Sequence, residues 1–232
     1  MNTNKMTKIA LISDIHSNLE AFEAVLKEIK KSKISKIFCL GDIVGYGANP
    51  NECIDLIRKN KTSSIKGNHD HEATLLENIE WFNEDAKQAI LWTKEKRTDS
   101  NSKFLKNLPS SLEFENIFLV HGSPRDNFYE YIFPDMEDYD FAELFAIAKK
   151  DVIACGHSHI QFSREFNDKL IINPGSVGQP RDSNPDAAYC IFNTKTLKIE
   201  FKRVKYKIEK AAKKILKAGL PQFLASRLYS GK

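Results

Sequence analysis

Three short apolar runs in the first third of the chain each lead into a polar side chain of a type that binds metals. Asp14, Asp42 and Asn68 follow the runs KIALIS, KIFCLG and SSIKG, which have the length and composition of buried strands. Helical patterns at 18–31 and 50–59 separate the runs. Repetition of strand, loop and helix predicts parallel strands whose carboxyl ends meet at one edge of a sheet. We therefore expect the three polar side chains to lie close together.

The second half of the chain is predicted to be rich in strands. Helical composition is expected over 72–108, 139–150 and 208–216. Six segments after Pro109 resemble strands joined by short turns, namely LEFENIFLV, DVIACG, QFSREF, KLIINPG, AAYCIFN and LKIEFKRVKY. These elements predict one α/β domain over residues 1–232 that contains two sheets.

The histidines are concentrated at predicted strand ends. Five of the six follow such an end, and the sixth, His71, adjoins one. His157 and His159 stand one residue apart in GHSH, and in an extended backbone residues i and i+2 face the same side, so both rings would aim at one point. The side chains expected to converge at the edge are Asp14, His16, Asp42, Asn68, His121, His157 and His159.

This mixture of ligand types is typical of a site for two divalent metals. Two such ions about 3.5–4 Å apart need a shared carboxylate to offset their repulsion. Neutral histidine and asparagine ligands keep the site positive, so that it attracts a phosphate anion. A closed thiolate site is not indicated, because Cys39, Cys53, Cys155 and Cys190 are isolated in the sequence. We expect these cysteines to be reduced thiols in or near the core.

Five ordered motifs, DIH, GD, GNHD, HG and GHSH, resemble those of the calcineurin-like metallophosphoesterases. The stretches GDIVGYGANP and NPGSVGQPRD are similar to the small bacterial and archaeal branch of phosphodiesterase-like proteins. The resemblance implies a four-layered α/β/β/α sandwich, in which two mixed β-sheets are flanked by helices. It also implies hydrolysis of phosphate esters or anhydrides, in which a hydroxide held between two metals attacks phosphorus in line.

The resemblance also implies a role for each site residue. The first metal would be bound by Asp14, His16 and His159, and the second by Asn68, His121 and His157, with Asp42 as the bridge. His69 would contact the phosphate or protonate the leaving group, and Asp70 would orient or polarise His69. His71 stands just past the motif, and this position alone predicts a place at the surface or behind the site. The ligand types suit Mn, Fe, Zn, Co or Ni, and Mn is favoured.

Substrate-binding residues are less sharply indicated. Arg125 and Arg181 both follow motif loops, and Arg181 is the better candidate to bind a substrate phosphate. Tyr46 occupies the position where protein phosphatases of the family carry an arginine. This difference favours a phosphorylated small molecule of the phosphodiester or nucleotide type over a phosphoprotein.

Several further residues have structural interpretations. Residues 173–176 are expected to form a tight turn that supports the GHSH loop. Trp81, Phe82 and Trp92 could stack on a nucleobase, although packing in the core or in a lid is the expected role. Gly45 either lets the loop approach a phosphate closely or serves turn geometry alone.

Two alternatives to a small-molecule enzyme remain. One is a protein-interaction scaffold with an eroded site, as in the retromer scaffold subunit. The other is a nuclease, because residues 195–232 contain twelve Lys or Arg and two Glu, although a solvated strand and helix are the expected reason for this charge. The apolar run at 9–12 is too short for a signal-peptide core, and no run approaches a membrane span of about 20 residues. A cytoplasmic protein without a membrane partner is predicted.

Overall fold

The computed structural model describes residues 7–232. The strands are β1 (Lys8–Ile12), β2 (Ile37–Cys39), β3 (Ser63–Ser64), β4 (Ser111–Phe114), β5 (Ile117–Val120), β6 (Val152–Ala154), β7 (Gln161–Phe166), β8 (Lys169–Pro174), β9 (Ala187–Asn193) and β10 (Ile199–Val204). The helices are α1 (Leu19–Lys31), α2 (Pro50–Lys59), α3 (Asn68–Leu75), α4 (Glu84–Lys96), α5 (Asp99–Lys106), α6 (Asp138–Ala148), α7 (Ile208–Lys217) and α8 (Gln222–Ser226), with 3₁₀ turns at Ile79–Trp81 and Arg227–Tyr229.

The strands form two five-stranded mixed sheets. The first has the order β10-β9-β1-β2-β3, in which β1, β2 and β3 are parallel and β9 pairs antiparallel with both β1 and β10. The second has the order β4-β5-β6-β8-β7, with a parallel centre of β5, β6 and β8 and an antiparallel strand at each edge. The parallel strands of both sheets supply the loops that carry the site.

The apolar side chains sort into layers. Along β1, Ile9 and Leu11 pack between the two sheets, whereas Ala10 and Ile12 face α1 and α2. Helix α6 covers the outer face of the second sheet through Phe141 and its neighbours. The result is the four-layered α/β/β/α sandwich that the sequence predicts.

The segment LEFENIFLV is a hairpin and not the single strand predicted for it. Strands β4 and β5 pair antiparallel, with Phe114 opposite Ile117. The chain reverses at Glu115, whose φ of 53° lies in the left-handed region. Turn geometry at a residue with no turn preference therefore divides an apparently continuous run.

The helical composition of 72–108 is divided among three helices. Helix α3 begins earlier than predicted, at Asn68, so that it starts inside the GNHD motif. Helix α4 begins where Asn83 Oδ1 accepts a hydrogen bond from the amide of Ala86, and α5 where Thr98 Oγ1 accepts one from the amide of Asn101. These side-chain caps start new helices within one stretch of helical composition.

The C-terminal segment packs against the side of the sandwich. Residues of α7, α8 and the final 3₁₀ turn form an apolar cluster with Tyr46 and with Ala86 and Ala89 of α4. We call this group the C-terminal cluster; its other buried members are Ala211, Ala212, Ile215, Leu220, Leu224, Ala225 and Leu228. The cluster brings the end of the chain to the loop that follows β2.

Two features of the chain as a whole, the state of its cysteines and the apolar character of its helices, can be compared with the sequence. All four cysteines are buried free thiols, as predicted. Between residues 7 and 232, no helix is long and apolar enough to cross a membrane. Residues 1–6 of the predicted domain lie outside the described part of the chain.

Candidate metal centre

The structure brings the seven predicted ligands together at the carboxyl ends of β1, β2, β3, β5 and β6. All are buried, with no more than 6% of any of these residues exposed. Five of them have left-handed backbone conformations, with φ of 53° at Asp14, 48° at His16, 52° at Asp42, 65° at His157 and 59° at His159. Such conformations are costly outside glycine and concentrate at functional sites. They turn the chain sharply after β1, β2 and β6, so that the side chains lie over the sheet edge.

The two histidines of GHSH do not point at one position. Strand β6 ends at Ala154, and the left-handed turns at His157 and His159 break the extended backbone that this expectation required. His159 lies with Asp14 and His16, whereas His157 lies with Asp42 and His121. The alternation rule therefore fails here, because it applies only while the strand continues.

The first group consists of Asp14, His16 and His159. His159 Nε2 lies 3.2 Å from Asp14 Oδ1 and 3.0 Å from His16 Nε2. The Nδ1 atom of His16 donates to the carbonyl of Val44, and that of His159 donates to the carbonyl of Gln179, since a carbonyl can only accept. Both Nε2 lone pairs therefore face the same space.

Two facing imidazole lone pairs beside a carboxylate repel one another unless a cation lies among them. Burial lowers the pKa of both His16 and His159, so both rings are neutral at pH 7. In each case the second ring nitrogen is fixed by a backbone carbonyl, which is the usual way of orienting a metal-binding histidine. The donor set of this group fits a divalent metal.

The second group consists of Asn68, His121 and His157 around Asp42. His121 Nε2 lies 3.0 Å from Asn68 Oδ1 and 3.4 Å from Asp42 Oδ2, while its Nδ1 donates to the carbonyl of Leu40. Burial opposes charge on His121, but the Asp42 carboxylate raises its pKa to about 9. The space between these side chains therefore favours positive charge, as a cation site must.

The two carboxylates have the same arrangement. Asp14 Oδ2 accepts from the amide of His157 at 3.2 Å, and Asp42 Oδ1 accepts from the amide of His69 at 2.9 Å. The other oxygens, Asp14 Oδ1 and Asp42 Oδ2, are buried with no hydrogen-bond partner in the described chain. An orphaned buried carboxylate oxygen is costly unless a cation neutralises it, so both oxygens fit metal ligation.

His69 lies at the inner wall of the site. Its ring is 4.4 Å from the ring of Tyr46, 4.8 Å from that of His16 and 5.0 Å from that of Phe82, measured between centroids. A Cβ on Gly45 would come within 2.5 Å of His69 Nδ1, so the glycine is required for this packing. Burial lowers the pKa of His69 to about 4, and its Nδ1 has no hydrogen-bond partner within residues 7–232. Geometry alone also groups His69 with His16 and Asp42 as ligands for a metal.

The contacts of Asp70 differ from those predicted. Its Oδ2 accepts from the amides of Ile43 and Gly67, and its Oδ1 accepts from the amide of Val44. Among the described residues, it makes no hydrogen bond to His69. The expectation that Asp70 orients His69 is therefore corrected, because backbone amides occupy its carboxylate. Burial and the nearby charge of Asp42 raise the pKa of Asp70 to about 7.

The two candidate arginines are in different environments. Arg125 is engaged by Glu130 at 2.6 Å, Glu143 at 2.7 Å and Asp140 at 3.0 Å, so it is not free to bind a phosphate. Arg181 lines the cleft above the metal groups and donates to Gln179 Oε1 at 2.9 Å. Of the two, only Arg181 is placed as a substrate-binding residue would be.

Residues 173–176 support the GHSH loop as predicted, but the predicted tight turn is wrong, because Asn173 and Pro174 are the last residues of β8. Asn173 Nδ2 donates to the carbonyl of Gly156 at 2.7 Å and to Ser158 Oγ at 3.0 Å. Ser176 Oγ donates to the carbonyl of Asp14 at 2.7 Å. This segment at the end of β8 therefore holds the backbone of two ligand-bearing loops.

A cleft of about 420 Å³ opens over the metal groups. Trp81 lies on its rim with 70% of the residue exposed, so of the two expected roles, packing in the core or in a lid, the core role is wrong for this tryptophan. Tyr131 stacks on His157 with 3.9 Å between ring centroids. Sequence reasoning missed Tyr131, Phe223 and Arg227 of the lining, because none of them lies in a motif.

Comparison with known proteins agrees with this geometry. The model of the calcineurin-like phosphoesterase superfamily domain matches residues 7–197. An uncharacterised protein of Methanocaldococcus jannaschii is 49% identical over 245 residues, covering 97% of this chain and 98% of that protein. The phosphodiesterase YfcE of Escherichia coli is 25% identical over 206 residues, covering 84% of this chain and 91% of that protein.

A solved structure is also similar over nearly the whole chain. The crystal structure of a metallophosphoesterase from Sphaerobacter thermophilus superposes with a TM-score of 0.86 and is 33% identical, covering 97% of this chain and 99% of that one. The family model spans all seven residues of the two groups and most of both sheets. The chain therefore belongs to the calcineurin-like phosphoesterase superfamily.

Proposed function

We propose that this phosphoesterase is a two-metal phosphodiesterase acting on small phosphorylated molecules. The observation that carries the proposal is the position of the orphaned Asp42 Oδ2, which lies 3.6 Å from His16 Nε2 and 3.4 Å from His121 Nε2. This oxygen faces both ligand groups at once. A carboxylate in that position suits a bridge between two cations.

Each ion would have its own ligand set. Asp14, His16 and His159 would hold one ion and Asn68, His121 and His157 the other, with Asp42 shared. Such ions supply Lewis-acid polarisation of the phosphoryl oxygens and lower the pKa of water. The mixture of imidazole, carboxylate and amide ligands suits Mn, Fe, Zn, Co or Ni, with Mn favoured.

The other residues of the cleft would act on the substrate directly. His69 would contact the phosphoryl group or give a proton to the departing oxygen, and Arg181 would bind a non-bridging oxygen. A nucleotide-type substrate is supported by the exposed ring of Trp81 on the rim, which offers a surface for a base. The relative YfcE, which is named a phosphodiesterase, supports a diester.

The alternatives gain less support. The basic C-terminal segment does not favour a nuclease, since Lys210 and Lys214 both pair with Glu20. A scaffold with an eroded site is not favoured, because every predicted ligand position carries a metal-binding side chain. A cytoplasmic location stays a prediction.

The proposal is tested with Asp42→Asn. An amide cannot bridge two cations as a carboxylate does, so we expect turnover to fall by at least about 10³-fold and bound metal to fall from two ions to one or none. Activity would be measured on phosphomonoesters, phosphodiesters and dinucleoside polyphosphates with Mn, Ni and Zn, and metal content by elemental analysis. Asp55→Asn, at an aspartate whose side chain is 62% exposed on α2, is the matched control. Full activity of Asp42→Asn with two ions bound contradicts the bridge.

A further inference from the structure

Two arginines line the cleft beside the metal groups. The guanidinium carbons of Arg181 and Arg227 lie 5.8 and 5.9 Å from the centroid of the Tyr46 ring. That ring is also 4.4 Å from the ring of His69. Both positive charges therefore lie beside an aromatic ring that also contacts the inner wall of the site.

Neither arginine has an acidic side-chain partner within residues 7–232. Arg181 donates to Gln179 Oε1 and to Tyr46 Oη, at 2.9 and 3.3 Å. Arg227 donates through Nε to the main-chain oxygen of Lys232 at 2.6 Å, which leaves both Nη groups uncommitted in the described chain. In contrast, carboxylates pair with Arg58, Arg125, Arg164 and Arg203.

The surrounding structure holds Arg227 towards the cleft. Its guanidinium carbon is 5.0 Å from the ring centroid of Phe223 on α8. The neighbouring Leu228 and Leu224 are buried in the C-terminal cluster, so the backbone at this point is anchored. The side chain is therefore arranged before any ligand binds, which reduces the entropic cost of binding.

The two guanidiniums are neighbouring like charges, and the nearby acidic Asp85 offsets the charge of Arg227 only in part. Burial and the charge of Arg181 lower the pKa of Arg227 to about 10, so it is still charged at pH 7. Two neighbouring cations in a partly buried cleft repel each other, and an anion between them would relieve this repulsion. Guanidinium groups match the oxygens of a phosphate particularly well.

We propose that Arg181 and Arg227 form a second phosphoryl subsite beside the metal centre, and that the preferred substrate is a diester of diphosphate. This inference rests on the proposed function and specifies its substrate class. One phosphoryl group would lie at the metals and the other at the arginines. Water would add to the first phosphorus as the P–O bond of the anhydride breaks, so that the two products are phosphate monoesters.

The test compares two substrates that differ by one phosphoryl group. These are the nitrophenyl esters of thymidine 5′-monophosphate and thymidine 5′-diphosphate, assayed by chromatography with the full-length, Mn-loaded protein. We expect Arg227→Ala to raise KM for the diphosphate ester at least tenfold more than for the monophosphate ester. The KM of Arg227→Lys for the diphosphate ester should lie between those of wild type and Arg227→Ala. Arg164→Ala should match wild type on both substrates. An equal change on both substrates, or no change on either, overturns the subsite.

A binding measurement separates this inference from the proposed function. If the wild-type protein hydrolyses neither ester with any metal, the proposed function fails, but the subsite is still open to test. Calorimetric titration with inorganic pyrophosphate should then show at least tenfold weaker binding to Arg227→Ala than to Arg164→Ala. Equal affinity of these two variants, with unchanged circular dichroism, overturns the subsite independently of catalysis.

Discussion

At the residue scale, His69 has the least determined role in the site. Its neighbours are aromatic rings, and its Nδ1 has no hydrogen-bond partner among the described residues. Asp70 is occupied by backbone amides, and no side chain of residues 7–232 forms a hydrogen bond to Nδ1 that would set the tautomer of the ring. The position of His69 suits a phosphoryl contact, proton donation or metal ligation. A variant of His69 should lose a different property in each case: substrate binding, protonation of the leaving group or bound metal.

The variant His69→Asn distinguishes these three roles. We expect both ions to be retained and hydrolysis of an alkyl or nucleoside ester to slow by about 10²–10⁴-fold, because an alkoxide needs a proton in order to leave. A nitrophenyl ester should slow much less, because nitrophenolate departs as the anion. His71→Asn, two residues away and paired with Glu77 at 3.1 Å, is the control. Equal loss on both substrates would assign His69 to phosphoryl binding, and loss of metal would make it a ligand.

The sequence predicts which residues converge because each predicted ligand follows a strand, and strand ends share an edge. It could not predict the partners of Asp70, which depend on how the loop after β2 folds back over α3. Nor could it predict Arg227, which reaches the cleft only because the C-terminal cluster brings it there. Contacts between segments that are distant in the chain produce no local sequence pattern from which they could be predicted.

At the element scale, the loop after β2 is tied to the start of α3. Asp70 is the third residue of that helix, and its carboxylate accepts from two amides of the loop and from Gly67 at the helix start. The same loop contains Asp42, and its Val44 carbonyl accepts from His16. One buried carboxylate therefore helps to hold ligands of both metal groups, although it does not bind a metal in our proposal.

Asp70→Ala should loosen this connection. It would leave three amides, two of them in the loop, without an acceptor, and each unsatisfied buried group costs about 1–3 kcal/mol. We expect the free energy of unfolding of the metal-free protein to fall by at least about 2 kcal/mol in urea, and metal affinity to fall as well. Asp70→Asn keeps one carbonyl oxygen as an acceptor, so its free energy of unfolding and its metal affinity should both fall less than those of Asp70→Ala. A variant Asp70→Ala with wild-type stability would show that water satisfies these amides.

Helices and strands are predicted well from the sequence where a short buried strand ends at a polar residue. The prediction fails where one stretch of suitable composition contains a break, as at Glu115 between β4 and β5 and at the capping residues Asn83 and Thr98. In each case the break depends on a single residue. Averaged composition over a window conceals it.

At the scale of the whole molecule, the site depends on the packing of one sheet against the other. Asp14, Asp42 and Asn68 follow strands of the first sheet, whereas His121 and His157 follow strands of the second. The apolar layer between the sheets fixes their distance. Metal binding should therefore stabilise the whole sandwich, by about 2.7 kcal/mol at a free metal concentration of 100 times Kd.

The proposed single domain predicts that the C-terminal helices unfold together with the sandwich. Leu224 is 1% exposed in the C-terminal cluster, so Leu224→Ala should lower the free energy of unfolding by about 2–5 kcal/mol. Leu216→Ala, at a residue 51% exposed on α7, should cost less than about 1 kcal/mol.

The measurement that tests this is urea unfolding followed by two signals. Circular dichroism reports all helices, whereas tryptophan fluorescence reports Trp81 and Trp92, of which Trp92 packs against the C-terminal cluster. If the chain is one cooperative unit, both signals shift together in Leu224→Ala, and added Mn moves both by the same amount, because unfolding of any part releases the metal. An early partial loss of both signals in Leu224→Ala, followed by a second transition at the wild-type midpoint, would instead make α7 and α8 a separate unit. Arg227 would then reach the cleft only while that unit is docked, so its contribution to substrate binding would disappear at the first of the two transitions.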